Sequence, residues 1–295
     1  MDAQKPRIFE RIVWLNVIVA AAALGLTWTS YALLAIQVHI PLLVLATAAT
    51  FAVYTLDRIG PWSPEDAINA PRRTHWLNRT RWVHYCIGGI ATLICLACLL
   101  FLSLPTITMI VALAVMTLAY VAPFTSKGSR LKDRRLFKSL FIALAWAGGA
   151  VVIPIVEATA RGHVEISSVL PFGALLTGSH LLMVWGAALM FDLRDSEGDQ
   201  SHQGSITSVF AADRLVRFVR ILYIVAASGL GLAVTVGWVT PYWLAVFVML
   251  VTQFALTFHH APQPDTPSST IYYGVLIDGS LGLSGLILLL VKHLP

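Results

Sequence analysis

Four carboxylates crowd one short stretch of a chain that is only 12% charged: Asp192, Asp195, Glu197 and Asp199, in the segment Asp192-Leu-Arg-Asp195-Ser-Glu-Gly-Asp199. On a helix, Asp192, Asp195 and Asp199 fall within roughly 60° of one face, because successive residues turn by about 100°. Three like charges at the end of an apolar helix, where the macrodipole already disfavours negative charge, call for a cationic partner. A divalent cation held by hard carboxylate oxygens is one such partner. A solvated acidic loop partly neutralised by Arg194 is the other reading of the same residues.

A second acidic segment lies upstream: Tyr54-Thr-Leu-Asp57-Arg58, then a Gly-Pro break, then Glu65-Asp66-Ala-Ile-Asn69-Ala-Pro71-Arg72-Arg73. Asp57 closes an apolar run. Ser63 as N-cap and Pro64 as first helical residue would make Glu65 and Asp66 the acids that complement a short helix's dipole. Capping and metal binding are both open to these two residues.

The elements that must position these groups follow from hydropathy. With 57% hydrophobic residues and a mean hydropathy of +0.77, the 295-residue chain has the composition of a polytopic membrane protein. Apolar stretches long enough for a hydrocarbon core of about 30 Å recur at 11–35, 37–57, 82–103, 105–123, 136–158, 168–192, 215–237, 240–258 and 270–292. The expected fold is therefore all-α, with nine transmembrane helices in a single transmembrane domain spanning 1–295. Alternating sides along these helices places 18 of the 20 Lys and Arg residues on one face, leaving Arg161 and Lys292 opposite. The positive-inside rule makes that basic face, and the N-terminus with it, cytoplasmic. Two polar loops, 58–81 and 193–214, follow even-numbered helices and so share that face. The formal charge of +5 reflects this topology and needs no nucleic acid, while basic loops favour anionic lipid head groups. The first apolar stretch lacks a small-residue cleavage pattern and reads as a retained helix of an integral membrane protein, in the inner membrane if the cell is bacterial. Cys86, Cys95 and Cys98 read as small core residues of the third helix, with neither disulfide nor zinc role. The two loops suggest two four-helix units plus a ninth helix, by position alone, since no residue-level repeat accompanies them.

Order as well as composition is specific in the second segment. Asp192-x-x-Asp195-x-x-Gly-Asp199 followed by Gly204 and Thr207, after a membrane helix, resembles the second aspartate-rich motif of the UbiA superfamily of intramembrane prenyltransferases. Asp57-Arg58 and Asp66-x-x-Asn69-x-Pro71-x-Arg73 are similar to parts of that family's first motif, and the resemblance covers essentially the whole chain. It implies a helical bundle with a central cavity, Mg²⁺ held by Asp192, Asp195 and Asp199 with Asp57 and Asp66, a catalytic Lys127, and donor contacts from Arg130, Tyr120, Arg73 and Asn69. Two departures stand out: Val53 and Tyr54 occupy the positions of the family's Asn-Asp, and eight residues separate Asp57 from Asp66.

Such residues suit the ionisation of an allylic diphosphate, whose leaving pyrophosphate needs Mg²⁺ bridged by carboxylates from both loops. Lys127 or Arg130 could bond phosphate oxygens directly, or could simply be positive-inside charges. Trp146, Trp185, Tyr120 and Phe191 could wall an allylic cation or serve as packing. Asp278, inside the ninth stretch, faces either the cavity or a neighbouring helix. His180 reads as an interhelical hydrogen-bonding residue, and His259-His260 as an interfacial pair. The implied activity is Mg²⁺-dependent transfer of a prenyl group from an isoprenoid diphosphate to a small aromatic or lipidic acceptor in the bilayer. A terpene cyclase and a non-catalytic isoprenoid-binding or transport protein on the same scaffold are the rival readings.

Overall fold

A computed structural model describes residues 6–59, 66–121, 137–195, 211–259, 262 and 264–292. All regular structure among them is helical. In chain order the elements are α1 (Ile8–Trp14), α2 (Val17–Leu33), α3 (Ile40–Ile59), α4 (Asp66–Asn69), α5 (Pro71–Arg79), α6 (Arg81–Leu99), α7 (Leu104–Val121) and α8 (Phe137–Ala147). A π-helical turn (Gly148–Val152) leads into α9 (Ile153–Ala160), followed by α10 (Ile166–Arg194), α11 (Ala212–Thr235), a 3₁₀ turn (Pro241–Trp243) and α12 (Leu244–Leu256). A short α13 (Pro267–Ser269), a π-helical segment (Thr270–Ile277), α14 (Asp278–Leu281) and α15 (Leu283–Lys292) complete the order.

Helices occupy all nine expected stretches. Five spans are long and apolar enough to cross a bilayer: Ile40–Ile59, Arg81–Leu99, Lys138–Ala160, Ile166–Arg194 and Ala212–Thr235. Two more are bent pairs, α1 with α2 at 58° and the run Pro267–Leu281 with Leu283–Val291 at 49°, which raise the total to seven if each pair is one span. The stretches expected at 105–123 and 240–258 are shorter apolar helices, over Leu104–Leu118 and Pro241–Leu256. Among the described residues, five to seven spans thus have the length and hydropathy of a crossing. The two bends separate five from seven, because hydropathy counts apolar residues through a bend whereas a continuous helix stops there. In the first stretch the break is Asn16, which takes a left-handed conformation (φ 61°, ψ 18°) that asparagine tolerates better than most residues. Its amide donates to Thr55 Oγ1 at 3.1 Å, fixing α1 and α2 to α3.

Neighbouring helices pack in a closed circuit: α3 carries α6 and packs on α2, α2 packs on α14 and α15, α15 on α12, α12 on α11, α11 on α10, α10 on α8, and the π-helical turn after α8 packs back on α2. Trp82, Leu93, Leu118, Leu232 and Leu290 each expose more than half of their surface, as expected of side chains whose solvent is lipid. Cys86 is exposed, Cys95 half-buried and Cys98 buried, all with free thiols. Cys98 is core and Cys95, one turn before it, packs against the core, whereas Cys86 lies on the opposite, exposed side of α6.

Small residues let the last helices approach α2. A Cβ built on Gly25 would lie 2.7 Å from the carbonyl oxygen of Gly282, and one on Gly285 would overlap the Gly25 backbone. Beside this crossing Thr29 and Ser284 share a hydroxyl hydrogen bond of 2.8 Å. Such small-residue contacts drive helix association where lipid removes the hydrophobic advantage. Gly25→Ala is expected to destabilise the protein by about 1–3 kcal/mol through overpacking. Gly89→Ala, with nothing within 4 Å of the added carbon, should be neutral or stabilising. Thermal unfolding of the two variants in one detergent tests the contrast, and equal midpoints would contradict it.

The end of the bundle that holds Arg161 is tied by a polar cluster. Buried Glu157 accepts bonds from Ser103 N (3.0 Å), Ser103 Oγ (2.7 Å) and Arg161 Nε (2.6 Å), and Arg161 also donates to the Phe101 carbonyl. His39 Nδ1 lies 3.6 Å from Glu157, but burial and then Arg161 push its pKa down, so the imidazole is neutral near pH 7.

Candidate active site

Two helix ends and a short helical hairpin build the first half of the site. The last turns of α3 carry Tyr54, Asp57 and Arg58; α4 opens on Asp66 and ends on buried Asn69, and α5 begins with Pro71, Arg72 and Arg73. Pro71 at the first helical position supplies the fixed φ that starts α5. Arg73, only 7% exposed, pairs with Asp66 through Nη2 and Oδ1 at 2.9 Å, and Thr74 Oγ1 donates to the Asp66 carbonyl at 2.9 Å. The neighbouring Arg72 reaches outward instead. Its Nη1 lies 3.1 Å from Oε1 of fully buried Glu10, its backbone N–H donates to Asp265 Oδ2 at 2.7 Å, and Nη1 also reaches the Asp265 carbonyl at 3.3 Å. Burial raises the Asp265 carboxyl above its ordinary range, and the bond from the Arg72 backbone opposes that. Arg72→Ala strands a buried carboxylate on α1 and should cost about 2–4 kcal/mol. Unfolding measured together with Glu10→Gln checks this: the double variant should lose less than the sum of the singles, and additivity would exclude the pair.

The second half is the C-terminal end of α10. Asp192 is 6% exposed, and Lys138 from α8 approaches its Oδ1 at 3.1 Å. The helix ends at Arg194, and Asp195 is its C-cap residue, with φ −86° and ψ 5°. Arg194 and Asp195 form a two-pronged pair, Nε–Oδ1 at 2.6 Å and Nη2–Oδ2 at 2.9 Å. Burial pushes the Asp195 carboxyl up, but Arg194 more than offsets it, with help from Lys138 and Arg73, so the group sits below the ordinary carboxylate range and is ionised at neutral pH. The Arg194 guanidinium also lies over the rings of Phe191 (4.8 Å) and Tyr273 (5.1 Å).

The halves meet. Asp195 lies within electrostatic reach of Arg73, and Arg58 within reach of Arg73, Asp66, Asp278 and Arg194. Asp278, which opens α14, feels Arg58 and Arg194, while Tyr54 feels Asp278, Arg58 and Asp57 and packs edge-on against Trp146 at 6.4 Å. Segments separated by more than a hundred residues in sequence therefore gather carboxylates and bases at one end of the bundle. Among the described residues, Arg58 Nη1, Arg73 Nε and the Tyr273 hydroxyl are buried donors with no hydrogen-bond partner. Unpaired buried donors are costly, and those of Arg58 and Arg73, which lie within electrostatic reach of each other, suit an anionic ligand.

No family model matches the sequence, and no curated protein matches it. A solved structure of digeranylgeranylglyceryl phosphate synthase, a UbiA-superfamily intramembrane prenyltransferase studied in membranes, matches over 94% of this chain and 98% of that one. The TM-score is 0.54 and the identity 15%. The chain shares the helical-bundle fold of that synthase. The expected all-α architecture is met, at an identity that carries likeness of fold alone.

Of the residues expected at the site, Asp192, Asp195, Asp66, Arg73 and Asn69 lie in the two halves just described, with Asp57 on the last turn of α3. Asp199, Lys127, Arg130 and Glu65 lie outside the described residues, as do Ser63, Pro64, Gly204 and Thr207. Tyr120 belongs to the final turn of α7. Among the described residues no three His, Cys, Asp or Glu side chains stand close enough to hold a metal ion. The chemistry of the donors still fits Mg²⁺, since Asp66, Asp192 and Asp195 offer hard oxygens from both halves. Their present partners are the chain's own cations Arg73, Lys138 and Arg194. Part of the solvated-loop reading is thus realised, because Arg194 does neutralise Asp195.

Of the aromatic candidates, Trp146 faces Tyr54 and Phe191 faces Tyr273 (5.4 Å), both beside the site, whereas Trp185 packs on Phe218 (5.5 Å). His180 is fully buried and its Nδ1 bonds the Leu176 carbonyl at 3.0 Å, a contact within its own helix rather than between helices. Sequence reasoning missed Lys138 and Tyr273 as site residues. Lys138 looked like one more positive-inside charge. Tyr273 is placed by the π-helical segment, whose register Gln253 supports by donating to the Ile277 carbonyl (2.9 Å) and Ser280 Oγ (2.8 Å).

Proposed function

We propose that the protein transfers a prenyl group from an isoprenoid diphosphate to a small aromatic or lipidic acceptor within the bilayer, in a Mg²⁺-dependent reaction. One observation carries the reading: in a UbiA-type fold, the ends of α3 and α10 and the hairpin α4–α5 bring Asp66, Asp192 and Asp195 together with Arg58 and Arg73, whose spare N–H groups are buried. Asp192 and Asp195, with Asp199, would hold the metal, and Asp57 and Asp66 would complete it from the first segment. Bound Mg²⁺ would supply charge stabilisation for the departing pyrophosphate. Arg58, Arg73 and Lys138 would bind and orient the diphosphate, joined by Lys127 and Arg130 with Asn69 and Tyr120. Asp278 and Tyr54 are half-buried deep in the bundle; a carboxylate that keeps exposed surface within a span faces a cavity rather than lipid. That supports a central cavity walled by Tyr54, Trp146 and Phe191, while the hydropathy and the one-sided Lys and Arg distribution of the sequence support nine spans and a cytoplasmic site.

A second reading, isoprenoid-diphosphate binding without turnover, is favoured by the pairs Asp66–Arg73, Asp192–Lys138 and Asp195–Arg194, which already neutralise the metal ligands. Incubating the purified protein with prenyl diphosphates of several lengths, Mg²⁺ and native lipid extract, followed by mass spectrometry, separates the readings. A prenylated acceptor supports transfer, a cyclised hydrocarbon supports a cyclase, and stoichiometric binding without pyrophosphate release supports the second reading.

A further inference from the structure

The same end of the bundle carries another concave surface, a groove of about 460 Å³ between the end of α10, the first half of α11 and the end of α12. Its walls differ in kind. Met190 and Leu193 of α10, Val216 of α11 and Phe258 beyond α12 make one wall apolar, while Arg217 and Arg220 make the other basic. These two arginines stand three residues apart on α11 and so share a face. Arg220 is held in place: Nε donates to Thr257 Oγ1 (3.0 Å), Nη2 to the Thr257 carbonyl (2.9 Å), and its guanidinium lies 3.9 Å above the Phe258 ring.

Arg217 is exposed, with only Nε reaching the Asp213 carbonyl at 3.3 Å. Among the described residues Asp213 is the one carboxylate in the lining, against two guanidinium groups, so that lining is net positive. Phe218 and Ile221, exposed on the same helix, place it on the outer, lipid-facing surface. A fixed guanidinium beside a free one, with an apolar channel at their side and lipid alongside, is complementary to an anion that carries a hydrocarbon tail.

We propose that this groove seats an anionic glycerophospholipid of the surrounding leaflet, its phosphate on Arg217 and Arg220 and one acyl chain along Val216, Met190 and Leu193. The site is separate from the Asp195 pair and independent of the reaction assigned above. A seated lipid links α10, α11 and α12 and stabilises the folded state by mass action.

The test uses the full chain, purified and delipidated in a neutral detergent, and titrated with phosphatidylglycerol, with phosphatidylcholine of the same chain length, or with inorganic phosphate. Phosphatidylglycerol should raise the unfolding midpoint and appear as a one-to-one adduct by native mass spectrometry, and neither other titrant should match it. Arg217→Glu should weaken its apparent affinity by about tenfold, from roughly one kcal/mol per basic group near a membrane surface. Arg217→Gln should give a smaller loss of the same sign. Arg79→Glu, the same charge change on exposed α5, should leave affinity unchanged. Equal response to phosphatidylcholine or inorganic phosphate, unaltered affinity in Arg217→Glu, or an equal loss in Arg79→Glu would each overturn the assignment.

Discussion

Asparagine in place of Asp195 is expected to leave the protein folded and to lower the proposed Mg²⁺-dependent consumption of prenyl diphosphate by about 10²- to 10³-fold, the loss typical of removing one electrostatic element of a reacting site. The side chain keeps its shape and can still accept one bond from Arg194, so packing at the end of α10 persists. What disappears is a negative oxygen where the metal would be held. Arg194, freed of its 2.6 Å partner, becomes an extra cation for the diphosphate. The kinetic signature is therefore a split: kcat falls while KM stays level or drops, since substrate is bound at least as well and only the departing charge is less stabilised. Glu165→Gln, the same charge change on an exposed residue before α10, serves as the control and should be silent. Full activity in Asp195→Asn would remove this residue from the site.

Arg58→Met is expected to act in the opposite sense, raising KM for the donor by about 10- to 150-fold, because bonds from a charged donor to phosphate are worth roughly 1.5–3 kcal/mol. Arg58 lies at the electrostatic centre of the cluster, facing Asp66, Asp278, Arg73 and Arg194. Its Nη1 has no partner among the described residues. Arg58→Lys should recover only part of the affinity, since a point charge lacks the planar fork that engages two oxygens. Isothermal titration with a non-hydrolysable prenyl diphosphate analogue measures the effect apart from turnover. Unchanged affinity in Arg58→Met would mean that this donor serves Asp278 alone.

The parts of this architecture that were legible in the sequence are those dictated by single-residue physics. An apolar run of about twenty residues must become a helix in lipid, since its backbone finds no water to bond. The spacing of Asp192 and Asp195 survives in the structure because α10 persists to Arg194. Breaks were not legible: Asn16 interrupts the first stretch without any loss of hydropathy, and the π-helical segment at Thr270–Ile277 depends on Gln253 from another helix. Pairings across the chain were not legible either. Glu10, Arg72 and Asp265 each look like ordinary loop or interfacial charges until the fold brings them together. Lys138 was hidden by abundance, one base among many on the basic face, and only its 3.1 Å approach to Asp192 distinguishes it.

The contact between Arg72 and Asp265 has a meaning in time as well as in space. The two residues are 193 positions apart, so at synthesis rates of about 5–20 residues per second Arg72 waits roughly 10–40 s for its partner to emerge. Throughout that interval the hairpin α4–α5, which carries Asp66 and Arg73, is held by Glu10 and by the contacts of Trp76 with Trp14 and His84, but lacks its tie to Asp265. The contact that joins the first half of the site to the segment preceding α13 is thus among the last to become available as the chain is made.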